Sequence, residues 1–143
     1  MALKRIKYIS RFSGVLSPSD IEQIVAVSQR NNQLAGITGV MATSGKLFYQ
    51  VLEGPSEQVD GLLKKIRADP RHTDFVLLRV QEDVESRLFP SWSMQSIQLD
   101  EASALRLEPL RETLATMVEL RLLSDKMAAV LDRALYNEMS TRS

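Results

Sequence analysis

The chain has no cysteine, and only one histidine and one tryptophan among its 143 residues. Without cysteine there is no disulfide, thiolate zinc site, iron–sulfur cluster or thiol nucleophile. The single His72 has no second metal ligand at motif spacing. Long apolar runs are missing too. No stretch approaches the roughly 18 residues of a membrane span, and the basic start Met1–Arg5 is not followed by the apolar core of a signal peptide. A soluble protein of the reducing cytoplasm is expected, without a membrane partner. Charge of one sign is not in excess: 18 Lys and Arg face 18 Asp and Glu, so no global field points to nucleic acid. Walker, GxGxxG and GxSxG loops are absent, and no serine is marked out as a nucleophile. The acidic pair Glu82–Asp83 sits in a polar stretch and is expected to face water.

What is present suits one α+β domain with a helical appendage: 44% of residues are apolar and 25% charged. Lys4–Ser10 reads as a strand. Ser17-Pro18-Ser19-Asp20 opens a helix with a Ser cap, Pro at the first position and an acid in the first turn, and this helix is expected to end near Asn31-Asn32. Gly36–Thr43 and Lys46–Leu52 form a hairpin around Ser44-Gly45. A second helix follows Gly54-Pro55-Ser56, with the stripe Val59, Leu62, Leu63, Ile66, and stops at Asp69-Pro70. Phe75–Val80 is a fourth strand, and Trp92–Leu99 alternates as a fifth, placing Trp92 and Met94 on one face.

The order β-α-β-β-α-β-β implies a ferredoxin-like mixed sheet with both helices on one face. The tail, Leu105–Met139, carries apolar residues three or four apart and reads as one or two amphipathic helices. Its steps Met117, Leu120, Leu123 break a strict heptad. The expected division is a domain over 1–100 and a helical output or dimerisation segment over 101–143. Fold alone assigns no function.

Five segments, in order, resemble the BLUF family of blue-light sensors using flavin: Arg5-Ile6-Lys7-Tyr8-Ile9-Ser10; Ser28-Gln29-Arg30-Asn31-Asn32 with Gly36-Ile37-Thr38-Gly39; Phe48-Tyr49-Gln50-Val51-Leu52-Glu53-Gly54; Asp69-Pro70-Arg71-His72; and Phe89-Pro90-Ser91-Trp92-Ser93-Met94. The wording is similar to the sensor domains of light-activated adenylyl cyclases and to short stand-alone BLUF proteins. The resemblance implies that Tyr8 donates an electron and then a proton to a light-excited flavin. Gln50 would be the amide that rearranges between Tyr8 and the ring, leaving an oxidised, red-shifted state. Asn32, with its neighbour Asn31, would pair with the ring edge, and Ile24 and Ile66 would clamp its faces. Ser28 and Lys65 join the cofactor set, Lys65 standing where many relatives have Arg and offering one point donor instead of a planar fork. Asp69, Arg71 and His72 would address the ribityl phosphate, and Trp92 and Met94 would relay the signal.

The cofactor so implied is FAD, with FMN also fitting. The implied activity is sensing without catalysis, read by a separate effector protein. The tail's apolar stripe can fold back on the sheet, pair with a second copy or dock on a partner, and a homodimer with both folding-back and pairing is expected. Each of these residues also has an ordinary structural use. Tyr8 can be a half-buried strand residue, and Gln50 can face solvent. Asn31 or Asn32 can cap a helix, while Ile24, Ile66, Trp92 and Met94 can simply be core, and Arg71 and His72 a surface loop. The competing function is a ferredoxin-like flavin- or metabolite-binding regulator without photochemistry.

Overall fold

The computed structural model describes residues 2–14, 17–99 and 107–142. Its elements run β1 Leu3–Phe12, α1 Pro18–Ala35, β2 Thr38–Ser44, β3 Leu47–Pro55, α2 Ser56–Ala68, β4 His72–Val84, β5 Gln95–Gln98 and α3 Glu108–Arg142. The expected ferredoxin-like order is therefore present, with a third helix appended. The sheet runs β4-β1-β3-β2-β5. All of its pairings are antiparallel except β2 with β5.

Local chemistry sets the element ends. Ser17 caps α1 in a reciprocal box with Asp20, filling two amides that the first turn leaves open. At the other end α1 does not stop at Asn31-Asn32 but continues to Ala35, where Gly36 caps it at φ 69. Only glycine takes that left-handed geometry without steric cost. Neither asparagine is a C-cap. Gly39 serves close approach instead, since a Cβ there would lie 2.1 Å from the Val51 carbonyl oxygen.

Two further boundaries differ from the sequence reading. β4 is longer than Phe75–Val80 at both ends. It runs past register shifts against β1 and past two residues at positive φ, Asp74 and Asp83, as bulged strands do. β5 is shorter than Trp92–Leu99, so Trp92 and Met94 precede it. They do not share a face: Met94 is buried and Trp92 is 44% exposed, stacked on Phe89. The paired acid Glu82 is exposed and bonds Lys4 at 2.8 Å.

The strands' alternation divides two cores. On one face Ile6, Tyr8, Phe12, Phe48 and Leu52 pack under α1 and α2, through Ile21, Val59 and the partly buried Ile24, Leu62, Leu63 and Ile66. On the other face Ile9, Leu47, Tyr49 and Val76 meet Leu99, Leu107, Leu114 and Val118. The tail is one helix, and its start folds back on the sheet. Leu105, where the sequence reading began the tail, lies outside the described residues.

Candidate functional site

Tyr8 and Gln50 sit directly opposite each other on adjacent strands. Antiparallel partners in register present their side chains to the same face at close range. The Tyr8 hydroxyl donates to Gln50 Oε1, and Gln50 Nε2 faces Met94 Sδ at 3.7 Å. Tyr8 is 1% exposed and Gln50 8%, so neither is the half-exposed strand residue that its type alone suggests. Burial pushes the Tyr8 phenol well above its ordinary range, because the phenolate would lose its hydration. The hydroxyl therefore holds its proton. Phe75 stacks on Tyr8 at 4.7 Å between ring centroids and itself lies under the Arg67 guanidinium at 5.1 Å.

A cleft of about 220 Å³ opens over this pair between α1 and α2. It brings together every residue that the sequence reading assigned to a cofactor. From α1 come Ile24, Ser28, Asn31 and Asn32; from α2 and the turn after it, Lys65, Ile66, Asp69 and Arg71; from the sheet, Tyr8, Gln50 and His72. Trp92 is not among its lining residues. Met94 reaches the cleft only through Gln50.

The donors differ in how far they are already committed. Asn32 is buried, and its Nδ2 donates to the Ser93 carbonyl at 2.7 Å, which leaves its carbonyl oxygen as an acceptor. Asn31 is exposed at the rim. Arg71 folds back on Asp69 through Nε and Nη2, at 3.0 and 2.7 Å to one oxygen. That guanidinium holds the Asp69 carboxyl below its ordinary value. His72 Nδ1 bonds Ser10 Oγ at 2.9 Å, with Phe12 and Phe48 edge-on to its ring. Burial, more than any neighbouring charge, lowers the His72 pKa.

Four lining residues were not foreseen: Phe12, Met41, Phe48 and Leu62. Three of them follow from strand periodicity. Phe48 is two residues before Gln50, Phe12 is four after Tyr8, and Met41 is paired opposite Gln50. Positions an even number apart share a face, so fixing Tyr8 and Gln50 inward fixes these as well.

The residues fit a flat heteroaromatic ligand. Ile24 and Ile66 come from different helices and offer an apolar surface from each side. Gln50 and Asn32 offer amides, which can donate and accept along a ring edge, and Lys65, Arg71 and His72 add cationic or donor groups to the lining. Taken together, the split mixed sheet and this two-helix clamp over a buried Tyr–Gln pair define a ligand-binding sensor domain of the ferredoxin-like class. Residues 3–95 match the family described as BLUF, sensors of blue light using FAD, and the chain belongs to that family. It is a blue-light sensor domain of the flavin-binding kind, and the reading as a regulator without photochemistry is not favoured.

Among curated relatives, the photoactivated adenylate cyclase subunit beta of Euglena longa is 32% identical over 118 residues. The match covers 82% of this chain and 13% of that protein. A solved bacterial light-regulated adenylyl cyclase is similar at 43% identity and a TM-score of 0.80, covering 87% of this chain and 36% of that one. BlrB, a BLUF protein solved in its dark state, is similar at 34% identity and TM-score 0.65, covering 79% of this chain and 91% of the other. The chain thus spans only about an eighth of the Euglena subunit and about a third of the bacterial cyclase. Among the described residues, no helix is long and apolar enough to cross a membrane.

Proposed function

We propose that this chain signals blue light through a hydrogen-bond switch made of Tyr8 and Gln50. The observation that carries the reading is the buried Tyr8–Gln50 hydrogen bond at the floor of a cleft flanked by Ile24 and Ile66. A bound flavin supplies the blue-light absorption and the electron acceptor. Tyr8 would be the electron donor, its Oη proton passing to Gln50 Oε1. Once the Gln50 amide has rotated or tautomerised, exchanging its donor and acceptor ends, the electron and the proton would both return to Tyr8, so that only the bonding pattern has changed. Ile24 and Ile66 hold the ring and exclude water, while Asn32, with its Nδ2 tied to Ser93, keeps an acceptor toward the edge. Asp69 orients Arg71 at the anionic end beside His72, while Ser28, Asn31 and Lys65 line the cleft around the ring.

FAD is the favoured cofactor over FMN. A second, open cleft of about 410 Å³ adjoins the first through Phe12, Ile24, Ser28 and Arg71 and extends along α1 to Asp20, Gln23 and Val27. The adenosine half of a dinucleotide would lie along this surface beyond the first phosphate. Purified protein should be yellow and should shift slightly to the red under blue light. Tyr8→Phe should keep the colour and lose the shift, and a Tyr8→Phe protein giving the same red-shifted state would refute the switch.

The domain proper is taken as residues 1–100, and 101–143 as the output segment. Beyond Val118 every described residue of α3 is exposed. From Leu120 onward the apolar positions Leu120, Leu123, Met127, Val130 and Ala134 alternate in steps of three and four, as a coiled-coil seam does. The irregular step from Met117 falls where the helix leaves the sheet. This spacing supports a homodimer through the distal half of α3. A separate cytoplasmic effector, such as a nucleotide cyclase of the kind the relatives carry, would read the dimer's state, and the chain itself would have no catalytic role.

A further inference from the structure

β4 and β5 lie at opposite edges of the sheet, so the chain between Val84 and Gln95 has to cross β1, β3 and β2. A buried ion pair that the switch does not use lies under this crossing. Arg5 and Glu53 are partners across β1 and β3, 8% and 2% exposed. Arg5 Nε donates to Glu53 Oε1 at 2.9 Å, and Arg5 Nη2 donates to the Ser86 carbonyl at 2.9 Å. The Glu53 carboxylate also accepts the Leu88 amide at 2.9 Å and the Phe89 amide at 3.5 Å. A carboxylate this deep carries a large desolvation penalty unless its lone pairs are filled. Here two consecutive backbone amides fill them, as amide nests do for anions. Arg87 adds a bond to the Gly36 carbonyl at 2.8 Å. The crossing ends where Gly39 donates to the Trp92 carbonyl and Gln29 to the Met94 carbonyl, at 2.8 and 2.9 Å. There Met94 Sδ meets Gln50 Nε2.

We propose that Glu53, held by Arg5, is a positioning residue for the Gln50 switch. It fixes the backbone at Leu88 and Phe89, and through that backbone the seat of Met94 on the amide. Glu53 is three residues from Gln50 on the same strand, so it lies on the opposite face and has no contact with the cleft. Its carboxylate reaches Arg5 and the crossing, and the crossing in turn reaches Gln50 through Met94. The Met94–Gln50 contact belongs to the present arrangement of the amide, so loosening it removes a contact that favours this arrangement over the rearranged one.

The inference rests on the switch proposed above, and its test has one readout that needs no light. In Glu53→Gln, the Leu88 and Phe89 amide protons should lose their carboxylate-bonded chemical shifts and exchange faster, while the flavin-to-protein ratio stays that of the parent. After illumination, the red-shifted state should live about threefold longer or more, and that difference should vanish in a Met94→Ala background, the non-additivity expected of residues acting through one contact. Arg87→Ala, at a partly exposed position, should lengthen the lifetime in the same direction and stands in if Glu53→Gln does not fold. An unchanged or shortened lifetime, or an equal effect with and without Met94, would overturn the proposal. A parent protein with no red shift would instead sink the switch, and the amide readout would still decide whether Glu53 fixes the crossing.

Discussion

The two faces of one sheet are completed in different ways. On the first, Ile6, Tyr8 and Phe12 of β1 lie under α1 and α2, and between those helices a cleft remains that the chain's own side chains do not fill. On the second, Ile9 of the same strand lies under Leu114, and the start of α3 closes the face. α3 then continues for 24 further residues, Glu119–Arg142, with no described side chain buried. The first face keeps an open cleft, and the second is closed by a helix that runs on past it. A single strand thus has the cleft tyrosine Tyr8 and, one residue on, Ile9, which packs against the start of α3. With the period of two, adjacent residues necessarily report to opposite layers.

The largest test of this comparison is to remove the part of α3 that has no buried side chain. A chain ending at Val118 should keep both cores, bind flavin, shift colour in light and run as a monomer in light scattering, where the full chain should run as a dimer. If both run alike, the distal helix is not the dimer seam. A smaller effect should come from the second face itself. Leu114 is 4% exposed, and Leu114→Ala should lower unfolding stability by about 3 kcal/mol through lost burial and the cavity left behind. Denaturant titration would measure this. The dark flavin spectrum should not move, since Leu114 and the cleft are separated by the sheet. A displaced dark spectrum would mean that the two faces are coupled before any light arrives.

Much of the first face is legible in the sequence, and the reason is local. Ser17-Pro18-Ser19-Asp20 carries its capping chemistry within four residues, and the α2 stripe repeats within one helix. The cleft residues could be named only because five short segments resembled a family; periodicity alone left Gln50 facing water. Where contacts are distant in sequence the reading fell short. Asn31-Asn32 looks like a helix end, but Asn32 is tied to Ser93, 61 residues away, and tertiary bonds override the local stop signal. Trp92 and Met94 alternate as strand residues do. They lie instead in a crossing held by Glu53, Arg87 and Gly39, whose partners are 34 to 53 residues away. No pattern within a window announces that Glu53 and Arg5 will meet.

The smallest effect concerns protons at the edge of the first face. His72 has its pKa lowered from 6.5, chiefly by burial, with Arg71 lowering it further and Asp69 opposing. A histidine whose folded pKa is depressed binds fewer protons folded than unfolded. Its contribution is complete above about 6.5 and is lost as pH falls from there toward the folded value. Asp69 has its pKa lowered from 3.8 by Arg71, so its contribution persists to lower pH and fails only below that value. The two windows are therefore separable. In flavin-free protein the thermal midpoint should drop modestly between about pH 7.5 and about pH 5.5, and His72→Gln should drop less over the same range. Bound flavin should reverse the sign of the difference, because a phosphate beside His72 favours the protonated ring. Equal slopes for the two flavin-free proteins would remove His72 as the titrating group, and an unreversed slope with flavin would remove the phosphate from its side.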